Sequence, residues 1–459
     1  MKNKLVLSLA LGLAGASSLL ATEVHVYLTG STAFRANAYS AAKNLFQGTP
    51  TIYYGNAAHG GADSGFSSST ASWVIFGTPI TNITALAGNT LAVHGLFTGS
   101  IQGIQSVENQ QALPFPDDTA LGGTANGLAG GYVTNVPTIA FDDCSSTVTT
   151  YPVSGNYKEE AAAVIPFGFF KSQAGGVMTN VNNVSWEQAE YGIPAGYVPL
   201  SAWTYNQADT NTLIYLLQRT QDSGTRRSEL ADFYYQFNDP VGIYLFDKTN
   251  SVWYTPTVLN SVTNATAYAS APYGVVNGGT FNTANYNWGY GYVGGGDIKN
   301  ALNLTATANT AIGYLSMSDG QGVGANWSNL LPFNGMWPTA AGAGIHGVSG
   351  YNDFSPITKG YYPLWSQLVL VFPKKPSLQA GQTIGDTQLG DQGQVGTFLG
   401  VFNAQTLTQP SLGGVPQVGS IENEIYKTET VPASYPNTAI RLIEMQSKRQ
   451  SVGGTITPY

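Results

Sequence analysis

A chain of 459 residues with 43% hydrophobic, 12% aromatic and only 10% charged side chains can bury a sizeable core, which excludes global disorder. A single apolar segment, at the very start, excludes a multi-span membrane protein. The net charge of −8 leaves no basic stripe to displace counterions, so neither nucleic acid nor an anionic membrane surface is an expected partner.

The first residues, Met1-Lys2-Asn3-Lys4, precede an apolar stretch from Leu5 to Leu13 and small residues running to Ala21. That is the pattern of a secretory signal peptide over residues 1–21, cleaved after Ala21 or at an earlier site in Ala14-x-Ala16. The stretch is too short to span a bilayer, and no cysteine stands near the cleavage region. The mature chain is therefore expected in the periplasm or secreted, without membrane insertion. Cys144 is the one cysteine, which excludes an intramolecular disulfide framework and a multi-thiolate metal site. His25, His59, His94 and His346 are scattered without ligand spacing, so the expectation is no metal and no other cofactor. Fifty-five glycines and 27 tyrosines suit a loop-rich exported protein better than a helical bundle.

Apolar runs followed by a small-residue turn and a helical pattern recur along the chain, the signature of α/β units. In the first, Val24–Leu28 meets Gly30-Ser31-Thr32, and Phe34, Ala38, Ala41 and Leu45 then share one helical face. In the second, Leu91–Phe97 meets Gly99-Ser100, with Ile101, Ile104 and Val107 at helical spacing. In the third, Leu213–Leu217 leads to Arg219, then Ser223-Gly224-Thr225, then Leu230, Phe233, Tyr234 and Phe237. A helix start leaves N–H groups without intrahelical partners, its dipole is positive there, and glycine lets a ligand approach the main chain. Converging on one cleft, the three starts would form a donor-rich pocket for an oxyanion, with Arg219 as its bidentate countercharge; each taken alone is equally an ordinary helix cap. A fourth element, the short strand Thr138–Phe141, ends in Asp142-Asp143-Cys144. An ionised carboxylate beside the pocket would accept a proton from phosphate and repel sulfate, which has none to give at neutral pH. The same acidic pair could equally form a solvated turn.

At these residues the chain resembles the periplasmic phosphate-binding proteins of phosphate ABC importers, within the type 2 periplasmic binding proteins. Arg219, three residues, then Ser223-Gly224-Thr225 keep the family's spacing after an apolar strand. Val184–Gln188 and Leu200–Trp203 look like the helix and tryptophan turn ahead of that strand, Asn309–Tyr314 like the exit from the second lobe, and Tyr361–Leu364 with Leu368–Val371 like the return strand. The resemblance implies an α/β fold of two lobes with the ligand cleft between them. It divides the chain into residues 22–171 (first part of lobe 1), 172–318 (lobe 2) and 319–459 (the return to lobe 1 with a C-terminal extension), with crossings near Lys171 and Ser318. It implies a non-enzymatic solute-binding protein that captures phosphate or a related oxyanion for an ABC transporter permease. The ligand residues it implies are Ser31, Thr32, Phe34 through its backbone N–H, Ser100, Asp143, Arg219, Ser223, Gly224 and Thr225. The sequence departs from the family where Ala33 replaces its threonine, leaving Ser31 or Thr32 to substitute, and where Gln221 and Asp222 replace its acid and glycine. Apparent insertions lie at Thr49–Thr90, Gln110–Thr134, Asp239–Asn287 and near the C-terminus.

Gly289-Tyr290-Gly291-Tyr292-Val293-Gly294 satisfies the dinucleotide pattern but lacks the preceding strand and the later acid, so it is expected to be a flexible Gly/Tyr loop. No nucleophile elbow is present. Glu159-Glu160 and Glu187 sit in polar contexts where solvated faces are the ordinary outcome. Cys144 beside Asp143 is expected to be a buried filler, not a nucleophile. Two other classes stay open: a secreted surface or interaction protein reusing the binding scaffold, and a secreted hydrolase, which would need a base near Ser31, Ser100 or Ser223.

Overall fold

The computed structural model describes residues 23–54, 72–81, 86, 88–118, 132–149, 151–173, 175–220, 223–247, 251–254, 291–324, 327–340, 353–373, 440, 445–449 and 456–458, apart from a few positions within these spans, Phe237 among them. The leader, the pair Gln221 and Asp222, and most of the four insertions lie outside the described residues. In chain order the first half contributes β1 (Glu23–Gly30), α1 (Arg35–Lys43), β2 (Thr51–Tyr54), β3 (Ser72–Gly77), β4 (Thr90–Leu96), α2 (Ser100–Glu108), β5 (Leu113–Pro116), β6 (Tyr132–Asn135), β7 (Ile139–Asp142) and the long strand β8 (Tyr157–Lys171). The second half contributes α3 (Trp186–Ala195), β9 (Tyr197–Pro199), α4 (Ser201–Thr204), β10 (Leu213–Leu217), α5 (Gly224–Asp232), β11 (Leu245–Asp247), β12 (Val252–Tyr254), α6 (Gly295–Leu302), β13 (Ala311–Ser316), α7 (Met317–Gly320) and β14 (Leu330–Leu331). Then come α8 (Ser355–Thr358), β15 (Trp365–Pro373) and the hairpin of β16 (Ser447–Arg449) with β17 (Ile456–Pro458).

Ten of these strands form one path, β2-β3-β4-β1-β7-β15-β8-β13-β10-β9, with β14 added on β8. β1 runs parallel to both β4 and β7, and β10 parallel to β13, as crossover helices require. Strand β8 belongs to both halves. Its Tyr157–Pro166 segment pairs antiparallel with β15, and Phe167–Lys171 pairs with β13. The chain is thus the expected two-lobed α/β protein, its two half-sheets hung on one strand. The central strands are buried on both faces, which is why β13 reads as a nearly continuous apolar run and β4 as one interrupted by the buried His94. Past Ser318, β14 still pairs with Phe169 and Phe170 of β8, and the chain rejoins the first half-sheet at β15.

The helices follow the spacing of the apolar residues. Phe34, Ala38, Ala41 and Leu45 are all buried along α1, and Ile101, Ile104 and Val107 along α2. Ser185 and Gln188 close a capping box at the start of α3. In the third unit the helical face stops short of expectation: α5 ends at Asp232, and Tyr234 takes a left-handed φ of 62° and is exposed.

Helix α5 is buried along nearly its whole length although it carries Arg226, Arg227, Glu229 and Asp232. Three of these four side chains meet named partners inside the protein. Arg226 Nη1 donates to the Arg219 carbonyl at 2.9 Å, Gln218 Nε2 donates to Glu229 Oε1 at 3.2 Å, and the Tyr314 hydroxyl donates to Asp232 Oδ2 at 3.0 Å. Arg449 of β16 reaches in from the C-terminal hairpin to Asp232 Oδ1 at 2.6 Å and to the Trp365 carbonyl at 3.0 Å, with its guanidinium 4.8 Å from the Trp365 ring. The C-terminal hairpin therefore ties α5 of the second half to β15 of the first.

Burial pushes the Glu229 carboxyl up to about 8, against the opposing pull of Gln218 and Arg226. The folded chain then keeps a proton between about pH 4.5 and 8 that the unfolded chain has released. Stability from this group is full below 4.5 and is lost as pH rises through 8. Glu229→Gln should match the wild type in melting temperature at pH 5 and exceed it by several degrees at pH 9. Calorimetric profiles that stay parallel across that range would show Glu229 to be ionised in the fold.

Candidate functional site

Strand β1 delivers the first helix start. It ends at Gly30, whose φ of +121° and contact with the Phe141 backbone leave no room for a side chain. The Ser31 N–H donates to the Phe141 carbonyl at 2.6 Å, the Ser31 hydroxyl accepts from Ala33 N at 3.1 Å, and Thr32 beside it is half-buried. Phe34 sits at the N-cap of α1, buried, with its ring stacked on Phe141 at 6.0 Å. The second start is fastened to the first: Gly99 N donates to the Gly30 carbonyl at 3.0 Å, and Gly103 of α2 packs directly on Gly30. The third comes from the other half of the molecule. Ser223 caps α5 by accepting from Arg226 N at 3.3 Å, and the adjoining Gly224 touches the Ser100 hydroxyl and the Asp143 carboxylate so closely that a Cβ would collide with both.

Asp143 is the point where they meet. The Ser100 hydroxyl donates to its Oδ1, Thr225 Oγ1 donates to its Oδ2 at 2.8 Å, and Ser228 Oγ donates to its carbonyl at 3.0 Å. The Asp143 N–H donates back to Ser100 Oγ at 3.3 Å, and Arg219 Nη1 reaches Thr225 Oγ1 at 3.4 Å. All five side chains are buried. Of the nine residues expected from sequence, Ser100, Asp143, Arg219, Gly224 and Thr225 thus lie in one cluster. Ser31 and Phe34 adjoin it through Gly30 and Phe141, and Ser223 lies at its edge with its hydroxyl turned to its own helix. The acidic pair is not a solvated turn, since Asp142 and Asp143 are both fully enclosed. Burial, with Asp143 and Asp142 beside it, raises the Cys144 thiol well above its ordinary value, so it is no nucleophile at neutral pH.

The geometry adds residues that sequence reasoning missed. Arg35, at the start of α1, is buried and faces Arg219, Asp297 and Asp319. Burial lowers its pKa, and its Nε has no hydrogen-bond partner among the described residues. Asp297 caps α6 by accepting from Gly294 N at 2.7 Å; burial pushes its carboxyl up to about 6, opposed by that N–H, Arg219 and Arg35. Gly295 lies hard against the Asp319 carboxylate. Two guanidinia and the start of α6 therefore border the cluster on its second-half side. Gly291 and Tyr292, from the segment expected to be a flexible loop, are pinned: Tyr292 is fully buried, bridges Arg219, and offers its carbonyl to Arg219 Nε at 3.3 Å. The run Gly294-Gly295-Gly296-Asp297 was the available signal for a fourth helix start, obscured because the dinucleotide pattern overlapping it fails.

Two of the histidines that stand apart in the sequence meet in the fold. Parallel pairing of β1 with β4 sets His25 and His94 on one face of the sheet, with Asp118 beside them. The long-range convergence that the linear spacing did not show is supplied by strand register. No helix among the described residues is long and apolar enough to cross a membrane.

No family profile matches the sequence, and no curated protein matches it. Among solved structures the chain is similar to a phosphate-binding protein from Stenotrophomonas maltophilia (14% identity, 93% of this chain and 92% of that one, TM-score 0.38). It is also similar to a soluble ancestral variant of the human phosphate-binding protein (14%, 91% and 90%, 0.39) and to an ABC-type phosphate transport receptor from Vibrio cholerae (12%, 77% and 87%, 0.34). At that level of similarity the site stands on this chain's own geometry.

The close approach at Gly224 is open to a direct test. Gly224→Ala should lower unfolding free energy by about 1–3 kcal/mol, the usual cost of overpacking. Gly296→Ala, where a Cβ meets nothing within 4 Å, should be neutral or slightly stabilising. Denaturant titration of both variants decides the matter, and equal stability would show that α5 does not abut Ser100 and Asp143.

Proposed function

We propose that this chain is an exported solute-binding protein that captures phosphate or a related tetrahedral oxyanion between its lobes for ABC-type import. The observation that carries the reading is the meeting of hydroxyl donors from opposite halves, Ser100 and Thr225, on one buried carboxylate next to Arg219. A carboxylate in that position occupies the donors as an oxyanion oxygen would. Hydrogenphosphate, arriving there, takes over the Ser100 and Thr225 hydroxyls as acceptor and gives its own proton to Asp143, so every donor and acceptor is again matched. Sulfate offers Asp143 no proton and would leave two anions in contact. The N–H groups at the starts of α1, α2 and α5 add donors, and Arg219, with Arg35 behind it, supplies countercharge in a water-poor setting. Opening would pivot where β8 changes partners between Pro166 and Phe167. The lobes are proposed to comprise residues 22–171 with 319–459, and 172–318. Residues 1–21 are proposed as the leader and the periplasm or exterior as the location, with a permease as partner and no catalysis or cofactor.

A second reading, a secreted interaction protein on the same scaffold, is favoured by one feature: the two halves already contact each other through Gly224, and Arg449 ties them. Calorimetry separates the two. Phosphate should bind the mature wild-type chain, and Arg219→Ala should weaken it by about 10- to 150-fold, the worth of charge-assisted hydrogen bonds. No heat with phosphate, arsenate or sulfate would overturn the binding role in favour of the interaction protein. Asp143→Asn should narrow the preference for phosphate over sulfate at pH 7.5. An unchanged preference would remove the proton-acceptor role from Asp143.

A further inference from the structure

A second cluster of ligating side chains lies at the other end of β1, five residues before Gly30 and so roughly 17 Å from the helix starts. His94 is fully buried, and its Nδ1 lies 2.7 Å from the Pro116 carbonyl. A carbonyl only accepts, so Nδ1 carries the proton and Nε2 presents a lone pair. That arrangement, a ring N–H held by a backbone carbonyl with the opposite nitrogen left as the acceptor, is the support typical of a metal-bound imidazole. The lone pair points at His25 Nδ1, 3.1 Å away. Asp118 Oδ2 stands 4.0 Å from the same His25 nitrogen, with its side chain almost wholly enclosed, and the three donor atoms all fall within 4.8 Å of one another. The Glu23 carboxyl neighbours Asp118, placing a second carboxylate at the rim.

We propose that His94 Nε2, His25 Nδ1 and Asp118 form a binding site for a single zinc ion, with Glu23 or water as fourth ligand. In a tetrahedral zinc site with bonds of about 2.0–2.2 Å, neighbouring donor atoms lie roughly 3.3–3.5 Å apart. The imidazole nitrogens, 3.1 Å apart, lie slightly closer than that and would separate a little around the ion, and the Asp118 carboxylate, 4.0 Å from His25 Nδ1, would turn inward. Two imidazoles and a carboxylate favour zinc over magnesium or calcium, which take all-oxygen shells. Binding would displace the proton now shared between the two histidines, moving the His25 proton to its Nε2. His25 is about a third exposed, its side chain at 34%, which provides the entry path, while His94 and Asp118 are shielded. The three ligands come from β1, β4 and the segment just after β5, so the ion would clip the start of the 110–134 insertion onto the first half-sheet. The site shares no residue with the oxyanion cluster.

The test uses tag-free mature chain, stripped with chelator and held in phosphate-free buffer. Zinc calorimetry should give one ion per chain, cobalt(II) should develop the intense visible absorption of four-coordinate geometry, and zinc should raise the melting temperature. His25→Ala should lose the cobalt spectrum and weaken zinc by roughly 100-fold or more, with its metal-free melting temperature near that of the wild type. His94→Ala removes a buried ring, so it is read only for the cobalt spectrum after its fold is confirmed by circular dichroism. Absence of saturable one-to-one zinc binding, or His25→Ala binding zinc as tightly as the wild type, would overturn the site. Because phosphate binding is measured separately, failure here leaves the oxyanion reading intact, and the reverse holds too.

Discussion

The direct contact of the α5 start with Asp143 and Ser100 is the constraint around which the molecule is organised. It demands glycine at position 224, because any side chain would strike the carboxylate. It demands a buried acid at 143, because the hydroxyls of Ser100 and Thr225 arrive from opposite halves and both need an acceptor. Buried polar groups are costly unless paired, so the two halves satisfy each other at this point. A molecule built this way has the contact between its halves and its candidate ligand site in the same few atoms.

Around that contact the protein keeps an unusual amount of charge in its interior. Helix α5 enters the joint carrying four ionisable residues, three of them held by named groups: Arg226 by the Arg219 carbonyl, Glu229 by Gln218, and Asp232 by Tyr314 and Arg449. Removing one partner of such a pair leaves an uncompensated buried charge, which is more damaging than never having had the pair. The C-terminal hairpin is therefore part of the joint, since its Arg449 closes the network between α5 and β15. The Nε of Arg35, beside the cluster at Asp143, is one of several buried side-chain atoms without a hydrogen-bond partner among the described residues, as are the Nε atoms of Arg226 and Arg449.

Much of this was legible in the chain before folding. The strand-turn-helix units at Gly30, Gly99 and Gly224 could be recognised because apolar periodicity and glycine placement are local properties, and the burial of Phe34, Ala38, Ala41 and Leu45 follows from their helical spacing. Asp143 could be named from its place at the end of a short apolar strand, but spacing alone left a solvated turn equally open, and only its burial in the fold excludes that turn. What escaped were residues whose role depends on a partner far away in sequence. Arg35 reads as an ordinary surface residue of an amphipathic helix until the second half meets it. Tyr292 reads as part of a polar loop until it lies beside Arg219. His25 and His94, 69 residues apart, have no ligand spacing at all in the linear chain and become neighbours only through the register of β1 against β4.

The sequence by itself determined the fold class, the helix starts, their donor chemistry and the arginine set to face them, because local propensity and hydrophobic period act over a few residues at a time. Tertiary structure alone decided that the starts meet on one carboxylate, that β8 serves both half-sheets, and that two histidines and an aspartate share a face. Those outcomes depend on strand order and register, which are fixed by the cooperative burial of surfaces hundreds of residues apart and leave no trace in any short segment.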